Sequence, residues 1–395
     1  MRFGRTLPPA AAPLQWRDLW HGVVGSLSPE HTRRAREAEI RSEFGARYVF
    51  LVGSGSAALA LALMALGSRS PRRDVIIPAY TCFSLPAAIL KAGLRPVPCD
   101  IDPVTFDFDH AVLEQTMSAR TLCVIGHHLF GIPSDMKRLR AVCDAHGSFL
   151  VEDAAQAMGV EVDGRKLGTT GDIGIFSLGR GKNITCGSGG ILITNAVGIG
   201  EAIARQHACL SAPGPSQGLK DVVRLALMTL FVRPRMYWIP AALPFLHLGE
   251  TLFPKDVPIQ RLSGLKAGLL RGWKSRLAAA NRQRSETAVY FSHRLPLGLP
   301  HGGRHPYLRL PFRVRNAKEK RRLYALSRAR GLGLSPAYPT PVTEIPGVPG
   351  AEIGRQFQSA HRVAARLVTI PTHHLLSERD RTAIAELCRD FRGVQ

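Results

Sequence analysis

Acidic residues are scarce in this chain of 395: 30 Asp and Glu stand against 52 Lys and Arg, a formal charge of +22. The deficit is uneven, since residues 201–340 hold 24 basic residues and only 6 acidic ones. A basic region of that kind suits acidic small substrates, anionic lipid or nucleic acid. Nucleic acid is the weakest of the three, because no aromatic RNA-binding signature, zinc spacing or helix-turn-helix pattern accompanies the charge. Cysteine is sparse and unordered. The seven thiols form no Cys-x-x-Cys pair and several sit in apolar runs, which excludes a disulfide scaffold or zinc knuckle and predicts reduced, buried thiols. Arginines and prolines break up the uncharged runs of the segment that looks most like a membrane span. The longest in the apolar stretch Val222–Leu248 is Met236–Gly249, short of the ~18–20 residues a spanning helix needs. Prolines stand near the N-terminus where an export signal needs an apolar run, so we expect a cytoplasmic protein.

What is present is alternation. Helices are expected at Trp16–Leu27 and Ser28–Phe44, then a strand at Tyr48–Val52 that breaks at Gly53-Ser54-Gly55-Ser56 before an alanine-rich helix, Ala57–Leu66. A strand, a Gly/Ser turn and a helix N-terminus together can bind phosphate through free N–H groups, or can be a plain helix cap. Strands follow at 74–78, 95–100, 122–126 and 148–152, with helices at 84–92 and 135–146. Repeats of this length imply a mainly parallel sheet covered by helices on both faces, and ligands collect at the C-terminal ends of such strands. Tyr80, His128 and Asp153 fall there. Further on, the pattern predicts one long basic helix over Leu262–Thr287, a strand over His305–Val314, and helices at Ala317–Arg330 and Ser377–Arg392. We read an N-terminal arm (1–30), a large domain (31–270) with an apolar, basic insertion at about 215–256, and a small α+β domain (271–395).

The stretch Phe149–Gly190 carries the chemistry. Asp153 ends a buried strand, and Lys182 lies in a glycine-rich loop about thirty residues later, a pairing that suits pyridoxal phosphate. The acid would hold the pyridine nitrogen protonated and the lysine would form a Schiff base with the aldehyde. The bland alternatives are a helix cap for Asp153 and a solvated loop lysine.

The chain resembles the DegT/DnrJ/StrS family of pyridoxal-phosphate-dependent nucleotide-sugar aminotransferases, of the aspartate-aminotransferase fold type I. The likeness runs through GSGSAAL (53–59), IIPAYT (76–81), AGLRPVPCDIDPVTFDFD (92–109), HLFGIPSDM (128–136), VEDAAQAMG onward to Gly190, AYPTPV (337–342) and IPTHHLLSERD (370–380). It implies a homodimer with a seven-stranded-type parallel sheet, an amino-acid donor such as L-glutamate and a nucleotide-sugar acceptor for surface or exopolysaccharide synthesis. It makes Lys182 the catalytic lysine and Asp153 the partner of the ring nitrogen. Gln156 falls to the ring's phenolic oxygen, and Gly55, Ser56 and Ser177 to the phosphate. His128, Arg261, Arg284, Tyr338 and His373 become candidate substrate contacts, the two arginines for a diphosphate. Three positions depart from the family pattern. Cys82 stands where an aromatic ring often stacks on the cofactor, with Phe83 beside it; Ser188 replaces the glutamate of a G-E-G-G loop; and Ile259 stands where an asparagine reaches the partner subunit. The rival readings are a dehydratase, although those keep histidine in place of the lysine, and a scaffold without catalysis. The aromatic residues Phe231, Tyr237, Trp238 and Phe245, flanked by arginines, also fit a segment (222–248) lying on an anionic inner-membrane surface, against the alternative that the insertion closes the active site or covers a subunit contact.

Overall fold

The computed structural model describes residues 4–391 except 247, 250, 255, 296, 298, 300–304, 347 and 349–356. Two helices, α1 (Trp16–Leu27) and α2 (Pro29–Phe44), precede the first strand, β1 (Tyr48–Val52). Strand and helix then alternate through α3 (Gly55–Gly67), β2 (Asp74–Pro78), α4 (Ser84–Lys91), β3 (Arg95–Cys99), α5 (His110–Thr116), β4 (Thr121–His127), α6 (Met136–Ala145) and β5 (Phe149–Asp153). A hairpin of β6 (Glu161–Val162) and β7 (Arg165–Lys166) leads to β8 (Ile173–Ser177) and β9 (Gly190–Thr194).

Seven strands form one sheet in the order β1-β9-β8-β5-β4-β2-β3. Only β9 opposes its neighbours; β2, β3, β4, β5 and β8 run parallel. The central strands are almost wholly buried, because helices cover both faces. The expected parallel sheet is therefore present. Its β8 and β9 escape a reading by pattern, since each is a five-residue run containing glycine. One of those glycines is required: a Cβ on Gly190 would lie 2.2 Å from the Ser54 carbonyl oxygen. That close approach brings the turn before α3 beside the strand that follows Lys182.

Beyond β9 come α7 (Val197–Ala208), α8 (Pro215–Phe231), α9 (Pro234–Ala241), α10 (Gly264–Leu269) and α11 (Trp273–Ser292). The single helix expected over 262–287 is two, because Gly272 takes a left-handed φ of 69° and turns the chain between α10 and α11. A second, two-stranded sheet pairs β10 (Arg309–Arg313) antiparallel with β11 (Leu367–Pro371), covered by α12 (Ala317–Arg330), α13 (Gln358–Arg366) and α14 (Glu378–Arg389). The strand is shorter than the 305–314 expected, and Arg392 lies outside the described residues. Helix α11 bridges the two parts: Trp273 and Leu277 pack under the large sheet, while Ala288 and Phe291 join the core around β10 and β11.

Candidate active site

Ser54 closes β1 and caps α3, its hydroxyl accepting from the Ala57 N–H at 3.0 Å. The backbone N–H groups of Gly55 and Ser56 therefore point out of the first turn, where the helix dipole favours an anion. Ser177, at the end of β8, faces them. A Cβ on Gly55 would lie 2.8 Å from the Ser177 Cβ and 2.9 Å from its Oγ, so only glycine leaves this cleft open. Gly55 and Ser177 were expected to share one ligand with Ser56, and the fold brings those two together.

Lys182 follows Ser177 in the loop, and its side chain makes no hydrogen bond or ion pair among the described residues. Burial lowers the pKa of its ammonium. Cys82 and Asp153 act in the opposite direction, and Arg309 adds to the lowering. Burial thus moves the amine toward its neutral form, and the Asp153 carboxylate opposes it. Asp153 accepts one bond, from the Ala155 N–H at 2.9 Å, and no helix follows it, so the helix-cap alternative fails.

A family model for the DegT/DnrJ/EryC1/StrS aminotransferase family matches residues 26–389. The chain belongs to that family. It is 39% identical over 160 residues to a "pleiotropic regulatory protein" of Geobacillus stearothermophilus, covering 40% of this chain and 43% of that one. It is 38% identical over 162 residues to a UDP-N-acetyl-3-dehydro-alpha-D-glucosamine 3-aminotransferase of Acidithiobacillus ferrooxidans, covering 41% and 44%. The chain thus spans under half the length of these curated relatives. Its fold matches Helicobacter pylori PseC, titled an aminotransferase of pseudoaminic acid biosynthesis, at TM-score 0.77 and 15% identity over 98% of this chain and 99% of that one.

The cofactor of this family is pyridoxal phosphate, and the residues present fit it. The cleft between Gly55, Ser56 and Ser177 offers donors to a phosphate, Asp153 offers a carboxylate to a ring nitrogen, and Lys182 offers an amine to an aldehyde. Gln156 also lies at the site. Its Oε1 accepts from the Phe130 N–H at 3.1 Å, and its Nε2 donates to the Tyr338 hydroxyl at 3.0 Å, leaving one amide hydrogen for a ring oxygen. Of the two residues after Thr81, Cys82 is the one whose charge bears on Lys182, while Phe83 is buried and stacks on Tyr338 with ring centres 6.4 Å apart.

Several expected substrate contacts are spent elsewhere. His128 is buried beneath the sheet; its Nδ1 accepts from the Ser134 N–H at 3.1 Å and its Nε2 donates to Glu152 at 2.9 Å, so neither nitrogen is free for a ligand. Arg261 donates to the His207 and Ala208 carbonyls at the C-terminus of α7. Arg284 is buried and donates to the carbonyls of Ala11, Lys182 and Asn183 at 3.2–3.4 Å, while burial holds its pKa down to about 10. It positions the lysine loop and has no reach left for a diphosphate. His373 donates from Nε2 to the Pro8 carbonyl at 2.9 Å and accepts at Nδ1 from the Leu375 N–H, which ties down the arm. Burial pushes its pKa to about 3, so it stays neutral. Tyr338 remains at the site, half-buried against Tyr80 and Phe130.

The insertion folds as α8 and α9 and serves the site from both. Where the resemblance expects a glutamate, the Ser188 hydroxyl accepts from Lys266 at 3.0 Å, and the carboxylate meeting that lysine comes from Asp221 on α8 at 2.9 Å. From α9, Tyr237 points inward toward Arg309, Tyr324 and Arg180, and burial pushes its pKa to about 12. Two arginines near the lysine, Arg180 and Arg309, were passed over in the sequence; Arg309 carries no motif, and only the docking of β10 against the turn after β4 brings it in.

Proposed function

We propose that the protein moves an amino group from an amino acid, L-glutamate foremost, to a keto-sugar nucleotide used in surface or exopolysaccharide synthesis. The observation that carries this is Lys182: a desolvated amine, free of partners, with the Asp153 carboxylate close enough to act on its charge. When bound, pyridoxal phosphate supplies an electron sink. Asp153 would hold a proton at the ring nitrogen, Ser56, Ser177 and the first turn of α3 would hold the phosphate, and the Lys182 amine would move the proton of the substrate carbon. With Arg261 and Arg284 occupied, the diphosphate falls to Arg180 on the lysine loop and to Arg328. The latter lines a cavity of about 470 Å³ between the arm, α9 and the end of α12. A dehydratase is disfavoured because the lysine is kept. Mixing cofactor-loaded protein with L-glutamate is expected to convert its absorbance to that of the pyridoxamine form; no conversion with any amino donor would overturn the reading.

We further propose a cytoplasmic homodimer, divided near residue 270, that touches an anionic membrane through α8. No helix among the described residues is long and apolar enough to cross a membrane. On α8, Leu219, Val223 and Leu227 are spaced four apart and are 70%, 52% and 49% exposed, beside Lys220 and Arg224. Such a row of apolar groups next to cations suits a headgroup boundary. Leu219→Ser/Val223→Ser/Leu227→Ser protein should float with phosphatidylserine vesicles several-fold less than the parent. Equal flotation removes the membrane contact.

A further inference from the structure

We propose that Arg309 receives the α-carboxylate of the amino donor, an assignment that rests on amino transfer at this same site. Its position is built by backbone geometry. The Leu308 N–H donates to the Phe130 carbonyl at 2.8 Å, pinning the start of β10 to the turn after β4. Gly131 makes room for this contact: it has a φ of 87°, and a Cβ there would lie 3.3 Å from the Leu308 nitrogen. Along β10, Leu310 faces the core of the smaller sheet. The pleat therefore sends Arg309 the other way, toward Lys182, Cys82, Tyr338 and Tyr237.

No carboxylate and no carbonyl pairs with it. Among the described residues the Arg309 side chain makes no hydrogen bond or ion pair, and the groups acting on its charge are two phenols and a thiol, with Lys182 of like sign nearby. A guanidinium drawn partly out of water without an anion is costly, and burial shows as a lowered pKa. The anion that would complete the site must end close to the reacting nitrogen. In an amino acid the α-carboxylate is attached to the carbon that carries the amine. In a nucleotide sugar the diphosphate is separated from a ring ketone by several bonds. Proximity to Lys182 thus selects the carboxylate, and the planar fork of arginine matches it with two parallel hydrogen bonds. Tyr237 of α9 lies near enough to act on the charge of the same arginine.

The test uses pyridoxamine-loaded protein and keto acids, which carry the same carboxylate. By calorimetry, Arg309→Gln should weaken both pyruvate and 2-oxoglutarate by about 100-fold, the order expected for losing a charge-assisted bidentate pair. Cofactor content and the KM for the sugar nucleotide should stay at the parent values. Arg309→Lys, which keeps the charge without the fork and guards against a folding defect, should recover only about a tenth of the lost affinity. Unchanged keto-acid binding in Arg309→Gln overturns the proposal, as does absence of keto-acid binding by the parent. So does weakening of 2-oxoglutarate alone, which would place the arginine on the distal carboxylate, or loss of cofactor, which would place it on the phosphate. A parent protein that binds keto acids through Arg309 but converts no amino donor would instead sink the aminotransferase reading and leave this one standing.

Discussion

Lys182→Ala is expected to lower turnover by about 10³-fold or more, the order seen when a proton-transferring group is removed from a site that works as a unit. It should do so without unfolding the protein. The Lys182 side chain has no fold-supporting partner, while its main-chain carbonyl and that of Asn183 are held by Arg284 at 3.2 Å. Removing a desolvated amine also relieves a burial cost, so the melting temperature should stay within about 2 °C of the parent. Borohydride reduction of the loaded parent should attach the cofactor to the tryptic peptide containing Lys182, and the variant should show no adduct. A variant that keeps a tenth of the parent rate would end the catalytic assignment. One that loses all activity yet keeps its role in the cell would favour the scaffold reading.

That the lysine and its aspartate can be found in a sequence at all follows from how they are placed. Asp153 ends a short apolar strand, β5, where the rule that ligands gather at strand C-termini applies from the pattern alone, and Lys182 stands out by its glycine-rich loop, although the strand before it, β8, does not. The phosphate cleft is legible for the same reason, since Ser54-Gly55-Ser56 follows β1 directly. The arginines are a different matter. Arg284 belongs to a recognisable block, but its chemistry depends on the carbonyls of Ala11 and Asn183, 273 and 101 residues away in the chain. Nothing local separates a guanidinium that supports a loop from one that greets a diphosphate. Arg309 is harder still, because its neighbours come from the turn after β4, the lysine loop and the insertion. The insertion left two readings open, a membrane segment or a cover for the active site or a subunit contact, because its aromatic and arginine content is the same whether Tyr237 faces lipid or faces Arg309. Asp221 shows the reverse: the missing glutamate at Ser188 looks like a defect until α8 is seen to return a carboxylate to Lys266.

The largest expected effect on stability lies one residue before the catalytic acid. Glu152 is fully buried, and its two oxygens are saturated. Oε1 accepts from His128 Nε2 at 2.9 Å and the Gly168 N–H at 2.6 Å, and Oε2 accepts from the N–H groups of Thr170 and Gly171 at 2.7 and 3.0 Å. The carboxylate thereby ties β4 and β5 to the strap that enters β8, and so sets the spacing between Asp153 and Ser177. Glu152→Ala would leave three backbone donors and an imidazole buried without partners, a loss of about 3–5 kcal/mol. Glu152→Gln keeps one acceptor oxygen and should lose less. Burial alone would raise the pKa of Glu152, but the bond and charge of His128, with the Gly168 and Gly171 N–H groups, outweigh it and hold the value below the ordinary glutamate range. The sign of the pH effect follows: the native state binds this proton less readily than the unfolded chain. The stabilisation is complete above the unfolded value of about 4.5 and drains away as pH falls through the lower native one. Urea unfolding of parent and alanine variant should therefore show curves far apart at pH 7 and converging under acid. A gap below about 1 kcal/mol at pH 7, or one that persists unchanged into acid, would mean that the strap is held by something other than Glu152.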